Sequence, residues 1–439
     1  MTTSTKSFHF GHVKILAEPV GTRQYKKSIR RPILLNKNTG TIHEFPTIYI
    51  YREHGQKSLN TQRSILFDIA FYLEWVGLKQ LRQKHWNAPE TRVRQGQLAI
   101  SAREVAELCR WCQLSASEIA HAVERQIAGL ASIPLNSVVD PSTADSRIRN
   151  ICNYLLWITQ EFIQAHSDGV EINWAKNQSY KESISKNFSS QLNTQQKASP
   201  IKSLRTIESN LVRSLLKNQS VFPNSDQGTR DRLIVELFLD SGLRSGELLK
   251  LYCEDLDTNY ELAPDKHIAI LNVKLRPNDI HDERMHEPAS KTFPGPIQIN
   301  KNLANRLLNY ILKERRSAIN KRVDESEQPY IFVSHVGVQT GKPIGYRNLN
   351  RIISKLKKVA GLPNWIAPHV LRHTHFNEFA DLAEENGGSE AEIRAMLTKR
   401  GHWRPESNMP EHYTQRRIAR KTSEIIEIRD ELIEPTKKN

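Results

Sequence analysis

Apolar residues recur at three- and four-residue spacing over much of the chain, which predicts a mainly helical protein. From Ser58 onward the apolar positions fall on one helical face: Leu66, Ile69, Ala70 and Leu73. Ser101 and Glu104 form a capping-box pattern that predicts a helix start, and a further helix is predicted over about 145–165. We therefore expect a small all-helical domain over residues 56–167.

The segments on either side of this domain are polar. Residues 168–200 are dominated by Ser, Asn, Gln and Lys, a composition typical of a linker or loosely ordered connection. Residues 1–55 mix short β-like runs with basic clusters that include Lys26, Lys27, Arg30 and Arg31. This N-terminal segment suits a basic arm on DNA and a solvated loop equally well.

Residues 201–439 predict a second, larger domain that combines helices with a small sheet. A helix over about 230–240 stops at Gly242, a residue type that commonly ends helices. Short β-like runs at 267–273 and 296–299 enclose a long insertion, and helices are expected over 302–316 and 347–360. The expected fold class is mainly α with a small β-sheet.

The net positive charge of the chain indicates a kind of binding partner. A formal net charge of +15 and a pI near 9.6 indicate a polyanion such as nucleic acid, although a solvated basic surface is the alternative. No run approaches the roughly 20 apolar residues of a membrane span, and the N-terminus lacks a signal-peptide core. We expect a cytoplasmic protein with no membrane partner. Cys109 and Cys112 form a lone CxxC pattern that we interpret as helix packing.

Two arginines stand in motifs suited to binding phosphate. Arg244, in Ser-Gly-Leu-Arg-Ser-Gly-Glu-Leu, begins a helix, where free backbone N–H groups and the positive end of the helix dipole favour anions. His369 and Arg372 are three residues apart and share a helical face, so both can point at one ligand. The alternative for the second motif is a polar helix start with a capping histidine.

The last motif brings in a histidine and a tyrosine. Ser389 to Glu392 forms another capping box, and Gly401 is expected to end the helix that it opens. His402 is then held at a fixed turn, and Tyr413 follows eleven residues later. The alternative for Tyr413 is a packed surface tyrosine.

In this order, Arg244, His369-x-x-Arg372, Gly401-His402 and Tyr413 resemble the catalytic domain of tyrosine recombinases, the phage integrase family. The resemblance covers roughly residues 201–425, and the gap from His402 to Tyr413 is about two residues longer than usual. The helical domain resembles the family's core-binding DNA-binding domain only in position and helicity.

The resemblance implies strand cleavage by transesterification, with Tyr413 as the nucleophile that forms a 3′-phosphotyrosyl link. Bond energy is kept in this intermediate, so neither a cofactor nor a metal is expected. Arg244 and Arg372 would hold the charged transition state, His369 and His402 would donate hydrogen bonds or assist proton movement, and Glu247 would support Arg244. A plain helix-dipole role for Glu247 is equally consistent.

The resemblance also implies a lysine that protonates the leaving 5′-oxygen. Lys291, in Ser-Lys-Thr before the second β-like run, matches the family's Lys-Thr pattern best, and Lys274 is the rival.

The partners implied are double-stranded DNA, a tetramer on two DNA sites, and accessory proteins that bend DNA or set direction. The implied function is a site-specific recombinase or integrase, in keeping with a mobile genetic element. The alternatives are an enzyme of the type IB topoisomerase kind and a non-catalytic DNA-binding protein with the same fold.

Overall fold

The computed structural model divides the chain into two compact units, residues 1–197 and 198–439, and each unit is described by itself. The residues that the structure describes are 8–16, 28–36, 39–115, 118, 138–165, 174–192, 205–277, 279, 281–284, 287–289, 293–322 and 328–433.

Over its described residues, the first unit is helical apart from one antiparallel pair of strands. Its strands are β1 (Phe8–Leu16) and β2 (Ser28–Asn36). Its described helices are α1 (Glu44–His54), α2 (Leu59–Arg82), α3 (Pro89–Arg94), α4 (Ala102–Cys112), α5 (Pro141–Ala165) and α6 (Trp174–Ser189).

Local sequence signals explain where these helices begin. The Ser58 hydroxyl accepts the backbone N–H of Thr61 at the start of α2, and Ser101 and Glu104 form the predicted capping box at the start of α4. The apolar faces meet in one core, in which Leu66 and Ile69 are fully buried. Cys109 and Cys112 are buried free thiols within that core, in agreement with the packing interpretation.

The segment expected to be a polar linker differs from the prediction. Within 168–200 the structure has α6, whose Ile184 and Phe188 are buried in the core of the first unit. Two apolar residues four positions apart suffice to fix a short polar helix against a larger core, and composition alone does not reveal them. In the N-terminal segment, Lys26 and Lys27 lie outside the described residues, while Arg31 stacks on the Tyr51 ring.

The second unit combines a three-stranded antiparallel sheet, ordered β3-β4-β5, with helices. Its strands are β3 (Leu256–Ala263), β4 (Lys266–Val273) and β5 (Gly295–Ile299). Its described α-helices are α7 (Ser209–Leu215), α8 (Asp226–Ser241), α9 (Ser245–Leu249), α10 (Lys301–Tyr310), α11 (Arg316–Ile319), α12 (Tyr346–Ala360), α13 (Pro368–Glu385), α14 (Glu390–Gly401) and α15 (Met409–Ile433). A π-helical turn, Ile311–Arg315, joins α10 to α11.

These elements confirm the fold class and most of the predicted secondary structure. Gly242 ends α8 in the left-handed conformation, with φ of 63°, as its position in the sequence predicts. The two β-like runs are β4 and β5, which pair antiparallel, with Val273 opposite Gly295. The apolar residues that follow Pro329 form isolated β-bridges, among them one between Tyr330 and Tyr252.

The insertion between β4 and β5 is attached to the unit by a buried ionic network. The Lys250 ammonium, 3% exposed, lies 2.6 Å from Glu287, 3.0 Å from Asp282 and 3.5 Å from Asp279. The Arg284 guanidinium pairs with Asp282 and also donates to the carbonyl oxygens of Leu249 and Ile344. Buried charges keep their place only when they are paired in this way. The insertion is therefore fixed to the chain that immediately follows Arg244.

A search of the described helices finds none with the length and apolar character needed to cross a membrane.

Candidate functional site

Arg244 lies where the sequence predicts, immediately before α9. Its backbone N–H donates to Glu247 Oε2 at 2.7 Å, and its Nη1 lies 3.2 Å from Glu247 Oε1. Glu247 is 3% exposed, whereas 28% of the Arg244 side chain reaches solvent. The carboxylate thus orients a guanidinium whose outer face is open to a ligand.

Arg372, on α13, is almost fully buried beside Arg244. Its Nη2 donates to the carbonyl of Gly401 at 3.2 Å and its Nη1 to the carbonyl of Gly242, while Arg244 Nη1 reaches the same Gly401 oxygen at 3.5 Å. Burial and the charge of Arg244 lower the pKa of Arg372 to about 10, so it remains protonated at neutral pH.

The two guanidinium groups face a single buried carboxylate. Glu247 lies 3.2 Å from Arg244 and 3.9 Å from Arg372. One negative charge between two positive charges leaves the pocket cationic, which favours an anion such as a phosphodiester.

The turn after α14 differs in one detail from the prediction. Gly401 is the last helical residue, and His402 is the residue in the left-handed conformation, with φ of 50°. Gly401 is required for a different reason, because a Cβ at this position would lie 2.6 Å from the Trp403 ring. His402 thereby reaches β5, where its Nε2 lies 3.4 Å from the carbonyl of Pro296. Burial lowers the pKa of the His402 imidazole.

Tyr413, on α15, is 1% exposed and packs in a small aromatic cluster. Its ring stacks on Trp403, with centroids 5.8 Å apart and planes 17° apart, and lies 5.5 Å from Phe376. Burial raises the pKa of the phenol, an effect that the charges of Arg372 and Arg244 oppose. The tyrosine therefore lies within the electrostatic reach of both arginines.

His373 is a site residue that the sequence analysis missed. Its Nδ1 lies 2.9 Å from Tyr413 Oη, within hydrogen-bonding distance. Burial, followed by the charges of His369, Arg372 and His412, lowers the pKa of His373 to about 4. The sequence signal for His373 is its position next to Arg372. A position on a helix does not by itself indicate which distant residue the side chain contacts.

His369 is exposed in the first turn of α13, and its ring lies edge-on to that of His373, with centroids 5.8 Å apart. It stands at the solvent side of the site, while His373 stands at the tyrosine side. The structure thus brings Arg244, Glu247, Arg372, His402 and Tyr413 together, and connects His369 to them through His373.

Of the two lysine candidates, Lys291 lies outside the described residues. Lys274 is 49% exposed and pairs with Glu254 at 3.0 Å and Asp255 at 3.3 Å. The described residues that flank Lys291 both contact the site. The Ala289 carbonyl packs on Gly246, and the Phe293 N–H donates to the His402 carbonyl at 3.3 Å.

Comparisons with known proteins agree with these motifs. Residues 205–415 match the model of the phage integrase family. Transposase A from transposon Tn554 of Staphylococcus aureus is 28% identical over 178 residues, which are 40% of this chain and 40% of that protein. Tyrosine recombinase XerC of Thermodesulfovibrio yellowstonii is 30% identical over 154 residues, 35% of this chain and 42% of that protein. The chain thus matches these relatives over about two fifths of their length.

Among solved structures, the Tn1549 transposon integrase in complex with transposon right end DNA is 14% identical. The match covers 86% of this chain and 98% of that chain, with a TM-score of 0.39. A second similar structure is XerH site-specific recombinase bound to difH substrate, 15% identical over 74% of this chain and 85% of that chain, with a TM-score of 0.36.

A mainly helical unit with a small antiparallel sheet, carrying these arginine, histidine and tyrosine motifs in this order, defines the tyrosine recombinase class. Within that class, residues 205–415 of this chain are similar to the phage integrase family, whose model they match.

Proposed function

We propose that the protein is a site-specific DNA recombinase of a mobile genetic element, which cleaves and rejoins DNA strands through a 3′-phosphotyrosyl intermediate. The observation that carries the proposal is the stacking of Tyr413 on Trp403, whose ring also lies 5.4 Å from the Arg372 guanidinium that shares the Gly401 carbonyl with Arg244. A nucleophile close to a cationic phosphate site is what phosphodiester transesterification requires.

In this mechanism Arg244 and Arg372 bind the non-bridging oxygens of the scissile phosphate. Their charge stabilises the extra negative charge that develops as the Tyr413 oxygen bonds to phosphorus. The P–O5′ bond breaks, and the leaving oxygen takes a proton from Lys291. His369 and His402 donate hydrogen bonds to the phosphate, and Glu247 positions Arg244.

The contacts of Ala289 and Phe293 support Lys291 over Lys274 as the residue that protonates the leaving oxygen. Both described neighbours of Lys291 contact the site, whereas Lys274 pairs with two carboxylates. Replacing each lysine singly by Ala decides the matter. We expect K291A to lose strand cleavage and K274A to retain it; loss in K274A alone would reverse the assignment.

The names of the similar proteins support a DNA substrate. We propose double-stranded DNA as the partner, a tetramer on two DNA sites as the active assembly, and accessory DNA-bending or directionality proteins as further partners. We also propose residues 56–167 as the second DNA-binding domain and residues 201–439 as the catalytic domain. Action on DNA is consistent with the expected cytoplasmic location.

The test is to trap the covalent junction in a cell that carries the gene with its flanking DNA. Denaturation with SDS stops the reaction, and the DNA attached to the protein is sequenced. We expect an adduct at one defined sequence that disappears in Y413F and persists in Y260F, a control at an exposed tyrosine of β3. Adducts spread over many sequences would favour a topoisomerase, and an adduct in Y413F would refute the nucleophile.

A further inference from the structure

Among the residues that the structure describes, the side chain within hydrogen-bonding distance of the Tyr413 phenol oxygen is that of His373, with Nδ1 2.9 Å from Oη. A phenol that attacks phosphorus must lose its proton, and the reaction needs a group that receives it. His369, the other histidine of this helix face, contacts the ring of His373.

We propose that His373 is the general base that removes the proton from Tyr413 during strand cleavage and returns it during rejoining. This inference rests on the proposed function and assigns a role that the motif comparison in the sequence did not include.

The Tyr413 O–H bond breaks and its proton moves to His373 Nδ1, while the oxygen forms a bond to phosphorus. The P–O5′ bond breaks, and the leaving oxygen receives a proton from Lys291. In rejoining, the 5′-hydroxyl gives its proton back to the lysine, and His373 protonates the departing phenol oxygen.

The surroundings keep His373 in the form that a base needs. Three groups face it, namely His369, Arg372 and His412, and together with burial they hold its pKa at about 4, so the ring is neutral at pH 7. Burial also raises the pKa of Tyr413, so little phenolate forms without help. Proton transfer from Tyr413 to His373 is therefore unfavourable by itself. It becomes favourable when the phenol oxygen bonds to phosphorus as the proton leaves.

A bound phosphodiester makes His373 a stronger base. Its negative charge, held by Arg244 and Arg372, offsets part of the positive field that disfavours imidazolium. After cleavage the same arginines remain close to the charged ring, which favours return of the proton when the strand is rejoined.

The hydrogen bond itself is tested first, in the DNA-free full-length protein with ¹⁵N-labelled histidine. The proposal requires that Nδ1 of His373 accepts and that Nε2 carries the proton. We expect a pyridine-type Nδ1 resonance that disappears in H373N and shifts in Y413F, whose ring lacks the hydroxyl. A protonated Nδ1 in the wild type at neutral pH would overturn the assignment.

The chemical role is tested with a duplex that carries the mapped junction sequence and a sulfur atom in place of the bridging 5′-oxygen. Sulfur leaves without a proton, so the lysine becomes dispensable while the nucleophile still needs a base. We expect K291A to cleave this duplex nearly as fast as wild type. We expect H373N to be slower by about a hundredfold, the usual scale of general base catalysis.

The choice of Asn separates base chemistry from positioning, because its amide oxygen can accept the phenol hydrogen bond but cannot take the proton. With the sulfur duplex, we expect the wild-type rate to be nearly flat between about pH 6 and pH 9. The H373N rate should rise about tenfold per pH unit, because it depends on the small fraction of phenolate below the ordinary tyrosine pKa of about 10. A merely structural role would lower the rate without changing its pH profile.

H267N is the matched control, since His267 is an exposed histidine at the opposite end of β4 from Val273. We expect it to behave as wild type. An H373N variant with the wild-type rate and a flat profile would refute the base and leave the recombinase proposal intact. Absence of any adduct in the wild-type protein would refute both.

Discussion

At the scale of single residues, the site is organised around one backbone carbonyl. Gly401 O accepts hydrogen bonds from both Arg244 and Arg372, so the two guanidinium groups are held side by side by a neutral acceptor. A second carboxylate in that position, in addition to Glu247, would neutralise both guanidinium groups and compete with phosphate. A carbonyl orients them and leaves their charge available to the ligand.

We therefore expect R244A to lose about a hundredfold or more in the rate of cleavage, the scale seen when one transition-state donor is removed. Because 28% of the Arg244 side chain is exposed, the fold should tolerate the change. The measurement is single-turnover cleavage of the mapped duplex together with thermal unfolding. R306A, which removes an exposed arginine paired with Glu236, is the control and should leave the rate unchanged.

A substitution at His402 can separate its role in catalysis from its role in the stability of the turn. It adopts a left-handed conformation that Asn also tolerates well, so H402N should keep the turn after α14 and change the melting temperature little. The imidazole is lost, and cleavage should fall by tenfold or more. A drop in melting temperature with full cleavage activity would show that His402 only caps the helix.

Most of the site residues could be predicted from the sequence, because helical spacing and turn residues determine the position of each residue on its helix or turn. The positions of Arg244, two residues after Gly242, and of Arg372, three residues after His369, follow directly from such rules. The contact of His373 with Tyr413 could not be predicted, because it joins residues forty positions apart through tertiary packing. The helix α6 was missed for the same reason.

At the scale of elements, the insertion between β4 and β5 depends on Lys250. Its ammonium is buried with three carboxylates, Asp279, Asp282 and Glu287. K250M would leave these carboxylates partly uncompensated, and we expect a loss of about 3–5 kcal/mol in the free energy of unfolding at pH 7. Chemical denaturation measures it. K342M, at an outlying lysine 3.9 Å from Glu283, is the control and should change little.

The same network predicts a dependence on pH. Burial alone would raise the pKa of Asp282, but hydrogen bonds and charges from Arg284 and Lys250 more than offset it, so the pKa is lowered. The pKa of Asp279 is lowered in the same way, by hydrogen bonds from Tyr330 and Tyr252 and by the charge of Lys250.

A carboxyl whose folded-state pKa is lowered stabilises the fold above its unfolded pKa, and this stabilisation is lost as the pH falls through the folded-state value. The wild-type protein should therefore lose stability below about pH 4, near the ordinary pKa of aspartate. In K250M the remaining carboxyls are less well paired, so the deficit relative to wild type should shrink as the pH falls from 7 to 5. A deficit independent of pH would contradict the ionic account.

At the scale of the whole molecule, the net charge of +15 predicts how binding to DNA responds to salt. Each phosphate neutralised by a cationic side chain releases counterions, so the logarithm of the binding constant falls linearly with the logarithm of salt concentration, with a slope of about −0.9 per contact. In a Y413F background, which cannot cleave, R244A should reduce this slope by about one contact, whereas R306A should leave it unchanged because Arg306 is paired with Glu236. The measurement is fluorescence anisotropy on the mapped duplex between about 50 and 300 mM salt. An unchanged slope in R244A would mean that this guanidinium does not contact phosphate in the complex. Its positive charge would then act on the Tyr413 phenol and not on the DNA.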